Sequence, residues 1–336
     1  MLLINEQIDS DRWEDLLIQT DDYSPFQTEE FHTLFNATEG LHSDVFAIEE
    51  NSAYLCLAVV TVQKEKGLLS FFSARGIVYG GILIRPDNVE ALDILLNGIN
   101  DFYRNKLIYI EIRNSFDYST YSHVFEKNGW EYLPWLNILK EISGSEDLHS
   151  ELSESRRRQI RKALGSGITS DFAKDITEIK AFYRILSILY SNKINKPLLP
   201  FSFFKRAFES RFSLFLLVKY AGRIIGGIML VPLQGKAVYE FYVCGLDAVF
   251  REQYPSVVST WAGIEYARLN KIPVFDFMGA GSPDKEYGVR DFKKRFGGRL
   301  VEHGRYIKIC SPVLYRIGKT GLNIIKIPKL IKQYAF

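Results

Sequence analysis

Cysteine and histidine are scarce in this sequence, and their spacing excludes two classes of site. Only three of the 336 residues are Cys and five are His. Cys56, Cys244 and Cys310 show no CxxC spacing, so neither a zinc ribbon nor a disulfide framework is expected. The histidines are far apart along the chain and form no HExxH signature. The sequence therefore supports no metal site.

Long apolar runs and several common catalytic motifs are also missing. No stretch approaches the ~18 consecutive apolar residues of a membrane-spanning helix. The first residues lack the cationic flank and apolar core of a secretory signal, so a cytoplasmic location is expected. GxSxG, GxGxxG and Walker A patterns are absent. Serine-hydrolase folds and nucleotide-binding folds of those types are therefore unsupported.

Charge of one sign is depleted in each half of the chain. Residues 1–151 hold 10 Lys+Arg and 26 Asp+Glu, a net charge of −16. Residues 152–336 hold 32 Lys+Arg and 14 Asp+Glu, a net charge of +18. Such a split favours a polyanionic partner for the basic half. The alternative is that the two halves attract each other.

Hydrophobic periodicity predicts the same order of elements in both halves. The predictions are strands over 44–63 and 107–114 with a helix over 89–106, then helices over 176–193, 201–210 and 254–271 with strands over 212–245 and 272–276. The stretch that ends in LIYIEIRN matches the one that ends in IPVFDFMGA. We interpret this as an internal duplication of an α+β domain, with a mixed sheet flanked by helices. Two unrelated α+β domains are the alternative.

A cationic helix is predicted between the halves, within the stretch 148–167. Ser153 or Ser155 can cap its start and Gly165 can follow its end. Arg157 and Arg161 lie four residues apart and share a face. This face is a candidate for binding phosphates. A solvated linker, or a helix paired with the acidic half, would show the same pattern.

The stretch 275–300 carries the strongest candidates for chemistry. It leaves an apolar strand that contains Asp276 and enters a glycine-rich loop, and Lys293 follows. A carboxylate inside an apolar strand is costly unless it is bonded or functional. Asp276 could act as a base, or could orient Lys293 or Tyr287. A lysine here could hold a phosphate or stabilise an oxyanion. The alternative is an ordinary cationic surface loop.

The last segment, 303–336, holds seven Lys+Arg and no Asp or Glu. Its aliphatic clusters alternate with cations, which is typical of a short helix on an anionic membrane surface. The other interpretation is a tail that packs its apolar face on the protein.

Two blocks of the sequence resemble one family. SRRRQIRKALGSGI (155–168) and the block 260–298, which ends in FKKRFGG, are similar to segments of the Fem-type aminoacyl transferases FemA, FemB and FemX. The resemblance implies two tandem GNAT-like (acetyltransferase-like) domains. These would cover 1–150 and 151–310, with a catalytic loop over 276–298 and a basic tail over 311–336. The long helical arm of FemA and FemB has no room here, so the FemX type is expected.

The resemblance also implies an activity and its residues. The reaction would transfer an amino acid from aminoacyl-tRNA to an amino group of a peptidoglycan stem peptide, without a metal or organic cofactor. Phe292 and Lys293 would lie at the reaction centre, and we add Asp276 as a catalytic candidate. The candidates for substrate binding are Lys193, Phe203, Tyr242, Tyr254, Tyr287 and Arg290, and those for tRNA phosphates are Arg157, Arg161, Lys294 and Arg295.

Several positions depart from the family pattern. The family often has Asp-Pro after the first-domain strand, whereas this chain has EIRNSFD over 111–117. An Arg is common near the end of the helix that Lys193 ends here, and a Tyr near Phe203.

Two other functions fit the sequence. One is a GNAT-type N-acyltransferase that uses acyl-CoA or an acyl carrier to modify an amino sugar of an envelope polysaccharide. CoA-binding GNAT domains grip the pyrophosphate with a glycine-rich loop at a helix N-terminus. The corresponding stretch, 251–259, has no glycine, which disfavours CoA. The other is a scaffold that binds RNA or a membrane without catalysis.

Overall fold

The computed structural model describes residues 1–20, 22–64, 74–142, 148–194 and 197–316. Most of the expected tail therefore lies outside the described residues. The chain forms two compact units. The first unit comprises Met1–Leu133 and the segment that begins at Gly304, and the second unit comprises Pro134–His303.

The first unit alternates strands and helices. Its elements up to Leu133 are β1 (Leu2–Ile4), α1 (Ser10–Gln19), α2 (Glu29–Asn36), β2 (Leu41–Glu50), β3 (Ala53–Gln63), β4 (Arg75–Gly80), β5 (Leu83–Ile84), α3 (Val89–Tyr103), β6 (Tyr109–Asn114), α4 (Ser122–Lys127) and β7 (Glu131–Leu133). One face of the sheet packs against α3 and α4 through aliphatic and aromatic side chains such as Leu95, Ile112 and Phe125.

The second unit repeats the pattern with one more helix at its start. Its elements are β8 (Leu136–Glu141), α5 (Glu154–Gly165), β9 (Thr169–Phe172), α6 (Ile176–Leu189), α7 (Phe201–Glu209), β10 (Leu214–Tyr220), β11 (Arg223–Leu233), β12 (Ala237–Gly245), α8 (Pro255–Leu269), β13 (Val274–Asp276), α9 (Gly288–Lys294) and β14 (Arg299–Glu302). The last strand, β15 (Arg305–Ile309), returns to the first unit.

Local sequence explains where the helices of the second unit begin. Ser153 caps α5, because its side chain accepts a hydrogen bond from the Arg156 N–H. Asp175 caps α6 by accepting from the N–H groups of Thr177 and Glu178. Helix α8 has little amphipathic character and is buried over most of its length, as expected for a helix covered by protein on several sides.

The two sheets have the same order of corresponding strands. Within the described residues, the first sheet runs β1-β2-β3-β4-β6-β15-β7, and β5 also pairs with β3. The second sheet runs β9-β10-β11-β12-β13-β8-β14. Each sheet contains one parallel pair, β4 with β6 and β12 with β13, joined through a helix. The predicted duplication of a mixed α+β domain is confirmed.

The strand that follows β7 along the chain lies in the second sheet, and the strand that follows β14 lies in the first sheet. β15 lies between β6 and β7 in the first sheet, and β8 occupies the matching place between β13 and β14. This exchange moves the boundaries from the expected residues 150 and 310 to residues 133 and 303. Hydrophobic patterning shows that a strand exists but not which sheet it joins, so it could not predict the exchange.

Candidate active site

The second sheet opens into a wedge at the end of its parallel pair. β12 pairs with β13 over Ala237–Tyr239 and then continues along β11 to Gly245. Beyond Asp276 the chain follows β8 instead, where the Phe277 N–H donates to the Ile138 carbonyl at 3.1 Å. We call the space between 240–245 and 277–281 the wedge. Such an opening at the carboxyl ends of parallel strands is a common place for a binding site.

A β-bulge marks the point where the wedge begins. Met229 pairs with Tyr242 and Leu230 pairs with Glu240, so Phe241 is the extra residue. A bulge of this kind bends its strand and re-aims the neighbouring side chains. It turns the end of β12 away from β13.

Lys293 of α9 places its ammonium group at the closed end of the wedge. The side chain is buried, with 6% exposure. Nζ donates to the carbonyl of Phe277 and, at 3.0 Å, to that of Gly279. The Met278 carbonyl and Glu240 Oε1 each lie 3.5 Å from Nζ. The ammonium has three N–H donors, and two of its four neighbours are held only loosely.

Glu240 is the buried carboxylate beside this lysine. Its Oε2 accepts a hydrogen bond from the Thr260 hydroxyl at 3.1 Å. Its Oε1 makes no hydrogen bond within the described residues, and the contact with Lys293 is an ion pair at 3.5 Å. Burial raises the pKa of Glu240, although the charge of Lys293 opposes this. Glu240 is not among the residues predicted from the sequence, but it lies inside an apolar strand, which is the same signal that makes Asp276 a candidate.

Asp276 shapes the loop that holds Lys293. Its Oδ1 accepts from Asn137 Nδ2 at 2.8 Å and from the Met278 N–H at 2.6 Å. Asn137 Oδ1 in turn accepts from the Gly279 N–H at 2.8 Å. Burial raises the pKa of Asp276. Of the expected roles, orienting Lys293 through this loop fits these contacts.

Backbone conformation in this loop explains the glycine after Met278. Met278 and Gly279 both have positive φ, 52° and 85°. Consecutive residues of this kind turn successive carbonyls toward one point, and glycine adopts the conformation without steric cost. The carbonyls of 277–279 thereby converge on one ammonium group.

Phe292 faces a buried arginine of α5. The guanidinium of Arg156 lies 4.5 Å from the ring centre of Phe292 and 4.3 Å from that of Phe296. Arg156 Nη2 also donates to the Phe292 carbonyl at 2.9 Å. The two sequence blocks that carry the family resemblance are therefore in contact, although 136 residues separate these two positions.

Two residues expected to bind substrate support the loop that precedes α9. Arg290 Nε donates to the Ala280 carbonyl at 3.0 Å, and its Nη2 to the carbonyls of Ser282, at 2.7 Å, and Lys285. Tyr287 is exposed, and its ring lies beside Gly281, where a Cβ atom would come within 2.8 Å of it. Arg290 thus supports this loop, and its contact with a substrate stays a prediction.

The remaining substrate-binding candidates lie apart from Lys293 in the sequence and differ in exposure. Phe203 is fully buried and packs against Phe204, with ring centres 5.7 Å apart. It belongs to the core, which corrects its expected contact with substrate. Tyr242 is half-buried and packs 5.0 Å from the Phe204 ring centre. Lys193 is exposed in a turn of π-helix, Tyr190–Ile194.

The candidates for phosphate binding lie on α5 and α9, which touch each other. Arg161, Lys294 and Arg295 are exposed, and Arg157 is half-buried. The Ser153 N–H donates to the Arg295 carbonyl at 3.0 Å, so the start of α5 meets the end of α9. The structure therefore brings the residue that precedes α5 against Arg295, which follows α9.

The N-terminus of α8 is closed by internal hydrogen bonds. Tyr254 precedes it with φ 46° and Pro255, which has no N–H, is its first residue. The Ser256 N–H donates to Asp247 Oδ1 at 3.2 Å. The N–H groups of Val257 and Val258 both donate to the Tyr254 carbonyl. Every N–H of this first turn, all of it in the described part of the chain, thus has an internal acceptor.

The strand that leads to this helix packs tightly against it. A Cβ atom at Gly245 would come within 2.4 Å of the Ser256 nitrogen. Neither the space nor the free N–H groups needed to grip a phosphate are present at this end of α8. The sequence analysis noted the missing glycines but did not identify Asp247 as the residue that takes their place.

Neither a metal cluster nor a membrane-spanning helix is found in the described ranges. No three His, Cys, Asp or Glu side chains in these ranges are grouped so that they could hold a metal ion. None of the described helices has the length and apolar character needed to cross a bilayer.

Comparisons with known proteins agree with this architecture. Residues 151–294 match the profile of the family described as "Acetyltransferase (GNAT) domain". No curated protein matches the chain by sequence. The structure of FemX superposes with a TM-score of 0.69 at 16% identity, covering 94% of this chain and 99% of that one.

Two further structures share the fold. A tandem GNAT protein from the clavulanic acid biosynthesis pathway has a TM-score of 0.61 at 9% identity, covering 93% of this chain and 99% of its own. The C-terminal domain of a protein designated a lysylphosphatidylglycerol synthetase from Agrobacterium fabrum has a TM-score of 0.58 at 11% identity, covering 94% and 95%. This chain has the tandem GNAT fold of FemX and, with a GNAT acetyltransferase domain in its second unit, is an enzyme of the transferase class.

Proposed function

We propose that this protein transfers an amino acid from aminoacyl-tRNA to an amino group of a cell-envelope precursor, a peptidoglycan stem peptide. The observation that carries the proposal is the placement of a buried lysine, Lys293, at the closed end of the wedge, next to the cationic surface of α5 and α9. The likeness in fold to FemX and to a lysylphosphatidylglycerol synthetase supports aminoacyl transfer to envelope components.

The proposed reaction makes an amide from an ester. The acceptor amine, in its neutral form, forms a C–N bond to the ester carbonyl carbon, and the C–O bond to the tRNA ribose breaks. The proton lost by the amine ends on the released ribose hydroxyl, passed through the ribose or a phosphate of the tRNA. No metal or organic cofactor is required by this chemistry.

Lys293 would stabilise the negative charge that develops on the carbonyl oxygen. Two acceptors, the Met278 carbonyl and Glu240 Oε1, lie 3.5 Å from Lys293 Nζ. Because both contacts are long, one N–H of the ammonium group can donate to the oxyanion instead. A fixed positive charge in a buried site is worth more than the same charge in water. Stabilisation of this type is typically worth ~3–4 kcal/mol.

The closed N-terminus of α8 supports a tRNA donor over acyl-CoA. CoA carries a pyrophosphate, which GNAT-type sites bind with free N–H groups at a helix start. Here Asp247 presents a carboxylate at that place, and its negative charge would repel a pyrophosphate. The cationic surface formed by Arg157, Arg161, Lys294 and Arg295 suits the phosphates of a tRNA instead.

The acceptor and the membrane contact are inferred from chemistry alone. A lipid-linked precursor would bring the enzyme to the inner face of the membrane, where we propose that the cationic segment 311–336 contacts anionic lipids. The protein would then be cytoplasmic with a peripheral membrane contact. Deleting 317–336 is expected to weaken co-sedimentation with anionic vesicles, and unchanged co-sedimentation would argue against this contact.

Donor binding measured by calorimetry tests the proposal. Acetyl-CoA and a mixed aminoacyl-tRNA pool are compared at low and moderate salt. We expect salt-dependent binding of tRNA and none of CoA. Saturable CoA binding in the micromolar range would instead support an N-acyltransferase that acts on an amino sugar. The absence of both would point to an acyl-carrier donor or to a scaffold.

A further inference from the structure

Arg156 is a charged residue in an environment that rarely holds one. Its side chain is buried, with 2% exposure, between the rings of Phe292 and Phe296. Its Nε has no hydrogen-bond partner within the described residues. Burial, with the nearby charge of Arg295, lowers the pKa of Arg156 to about 10. A guanidinium kept under these conditions needs a compensating role.

The hydrogen bonds of Arg156 connect two helices. Nη1 donates to Gln159 Oε1 of the same helix at 2.9 Å. Nη2 donates to the Phe292 carbonyl of α9 at 2.9 Å. The carbonyls in the last turn of a helix have no partner inside the helix, and a cation is favoured beside them. Arg156 supplies both a donor and a charge to the end of α9.

The residue that follows this contact is Lys293. Since Phe292 is held by its ring on one side and by its carbonyl on another, the backbone that carries Lys293 is fixed. The planar guanidinium can stack and donate at the same time, which a lysine at position 156 could not do in the same way.

We propose that Arg156 is a positioning residue. It holds Lys293 against the carbonyls of 277–279 and links Lys293 to Arg157 and Arg161 of α5. Arg156 and Arg157 are neighbours on one helix, yet the first turns inward to α9 and the second is half-buried at the surface. A polyanion that orders α5 through Arg157 and Arg161 thereby orders α9 and Lys293. The role of this link in turnover rests on the proposed function. The placement of Lys293 by Arg156 is independent of that function.

The first test measures how accessible the Lys293 amine is, and it does not require an activity assay. The amine of each lysine is labelled in the native protein with an acylating reagent and followed by mass spectrometry. We expect Arg156→Met, which keeps an unbranched apolar side chain between the rings, to speed labelling of Lys293 by about tenfold through local opening. Arg157→Met is the matched control and is expected to leave Lys293 protected.

A thiol control separates local from global opening. Cys244 is fully buried in β12, and its reaction with a thiol reagent should be unchanged in Arg156→Met. Unchanged labelling of Lys293 in that variant would overturn the proposal. So would an equal rise in Arg157→Met, or a joint rise at Lys293 and Cys244, because each would show general destabilisation instead of a specific link.

Kinetics provide the second test. With aminoacyl-tRNA as donor, Arg156→Met is expected to lower kcat by roughly 10- to 100-fold and to change the tRNA Kd less than about twofold. Arg157→Met should show the reverse pattern. A loss of tRNA affinity in Arg156→Met with kcat retained would contradict the positioning role. If the wild type turns over no aminoacyl-tRNA, the proposed function fails while the labelling result still decides this inference.

Discussion

The parallel pair in the first unit stays closed, whereas the corresponding pair in the second unit opens. β4 pairs with β6 along its whole length, from Arg75 with Tyr109 to Gly80 with Asn114. β12 pairs with β13 at three positions and then separates from it. The two sheets share one strand order, so topology alone does not make a binding site. The difference arises from the bulge at Phe241 and from the loop after Asp276.

A tyrosine packs at the corresponding end of the parallel pair in the first unit. A Cβ atom at Gly81 would come within 2.4 Å of the Tyr118 hydroxyl, and that hydroxyl donates to the Ile82 carbonyl at 2.7 Å. The GNAT family profile likewise matches only residues 151–294. The three proposed catalytic residues, Asp276, Phe292 and Lys293, all lie in the second copy of the fold.

The largest expected effect concerns a buried ion cluster of the first unit. Glu111 accepts hydrogen bonds from Arg113 and Arg305, the second of which fixes β15 to β6. Glu111→Gln leaves both guanidiniums without a counter-charge and should lower the free energy of unfolding by about 3–5 kcal/mol. Urea denaturation measures the change. A loss below ~1 kcal/mol would show that this cluster is not structural.

The next largest expected effect is a loss of kcat when a lysine is removed from the second unit but not from the first. Lys293→Ala should lower kcat for amino acid transfer by roughly 10²–10³-fold, because the developing oxyanion loses its charge partner. Lys127→Ala is the matched control, since Lys127 ends α4 as Lys293 lies near the end of α9. Lys127 pairs with Asp93 at the surface, and its loss should leave kcat unchanged. Wild-type turnover by Lys293→Ala would rule out the assigned role.

Acid should weaken the first unit through Glu111. Burial raises the pKa of this carboxyl, but the charges of Arg113 and Arg305 outweigh it and hold the pKa at about 2. A lowered pKa in the folded state contributes stability above the unfolded value, ~4.3. That contribution, up to ~3 kcal/mol, should fade as the pH falls from about 5 toward 2. Stability curves of wild type and Glu111→Gln should therefore converge in acid, and parallel curves would contradict this assignment.

The smallest expected effect concerns the salt dependence of tRNA binding, which tests the role of the basic half of the chain. Binding of tRNA should weaken steeply with salt, since cations are released from each contacted phosphate. The double variant Arg157→Ala with Arg161→Ala should reduce the slope of log K against log salt by about one to two. Fluorescence titration at several salt concentrations measures it. An affinity that does not depend on salt would argue against the cationic surface as the tRNA site.

The sequence predicted the elements well and their assembly less well. The helices predicted over 89–106 and 254–271 are present as α3 and α8, within a few residues at each end. Periodicity is a local property, and both segments are long enough to show it. The exchange of β8 and β15 depends on contacts between distant segments, so no local pattern reveals it.

In the candidate site too, local features could be predicted from the sequence, whereas contacts between distant segments could not. The loop after Asp276 was chosen because a carboxylate in an apolar strand is unusual, and Glu240 could have been found on the same argument. Arg156 could not. It is one of three consecutive arginines, and only packing against Phe292 decides which of the three turns inward. Phe203 is expected to bind substrate by the family resemblance, but the aromatic residues around it bury its ring.

The returning strand has a consequence for how the protein is made. In the first sheet, β7 pairs with β15 and with no other strand of the described chain, yet β15 is synthesised only after the whole of Pro134–His303. At about 5–20 residues per second, β7 waits on the ribosome for on the order of ten seconds or more without a partner. The first sheet is completed last, so a chain that stops before Arg305 would leave the first copy of the fold unfinished, whereas the second copy, Pro134–His303, would be complete.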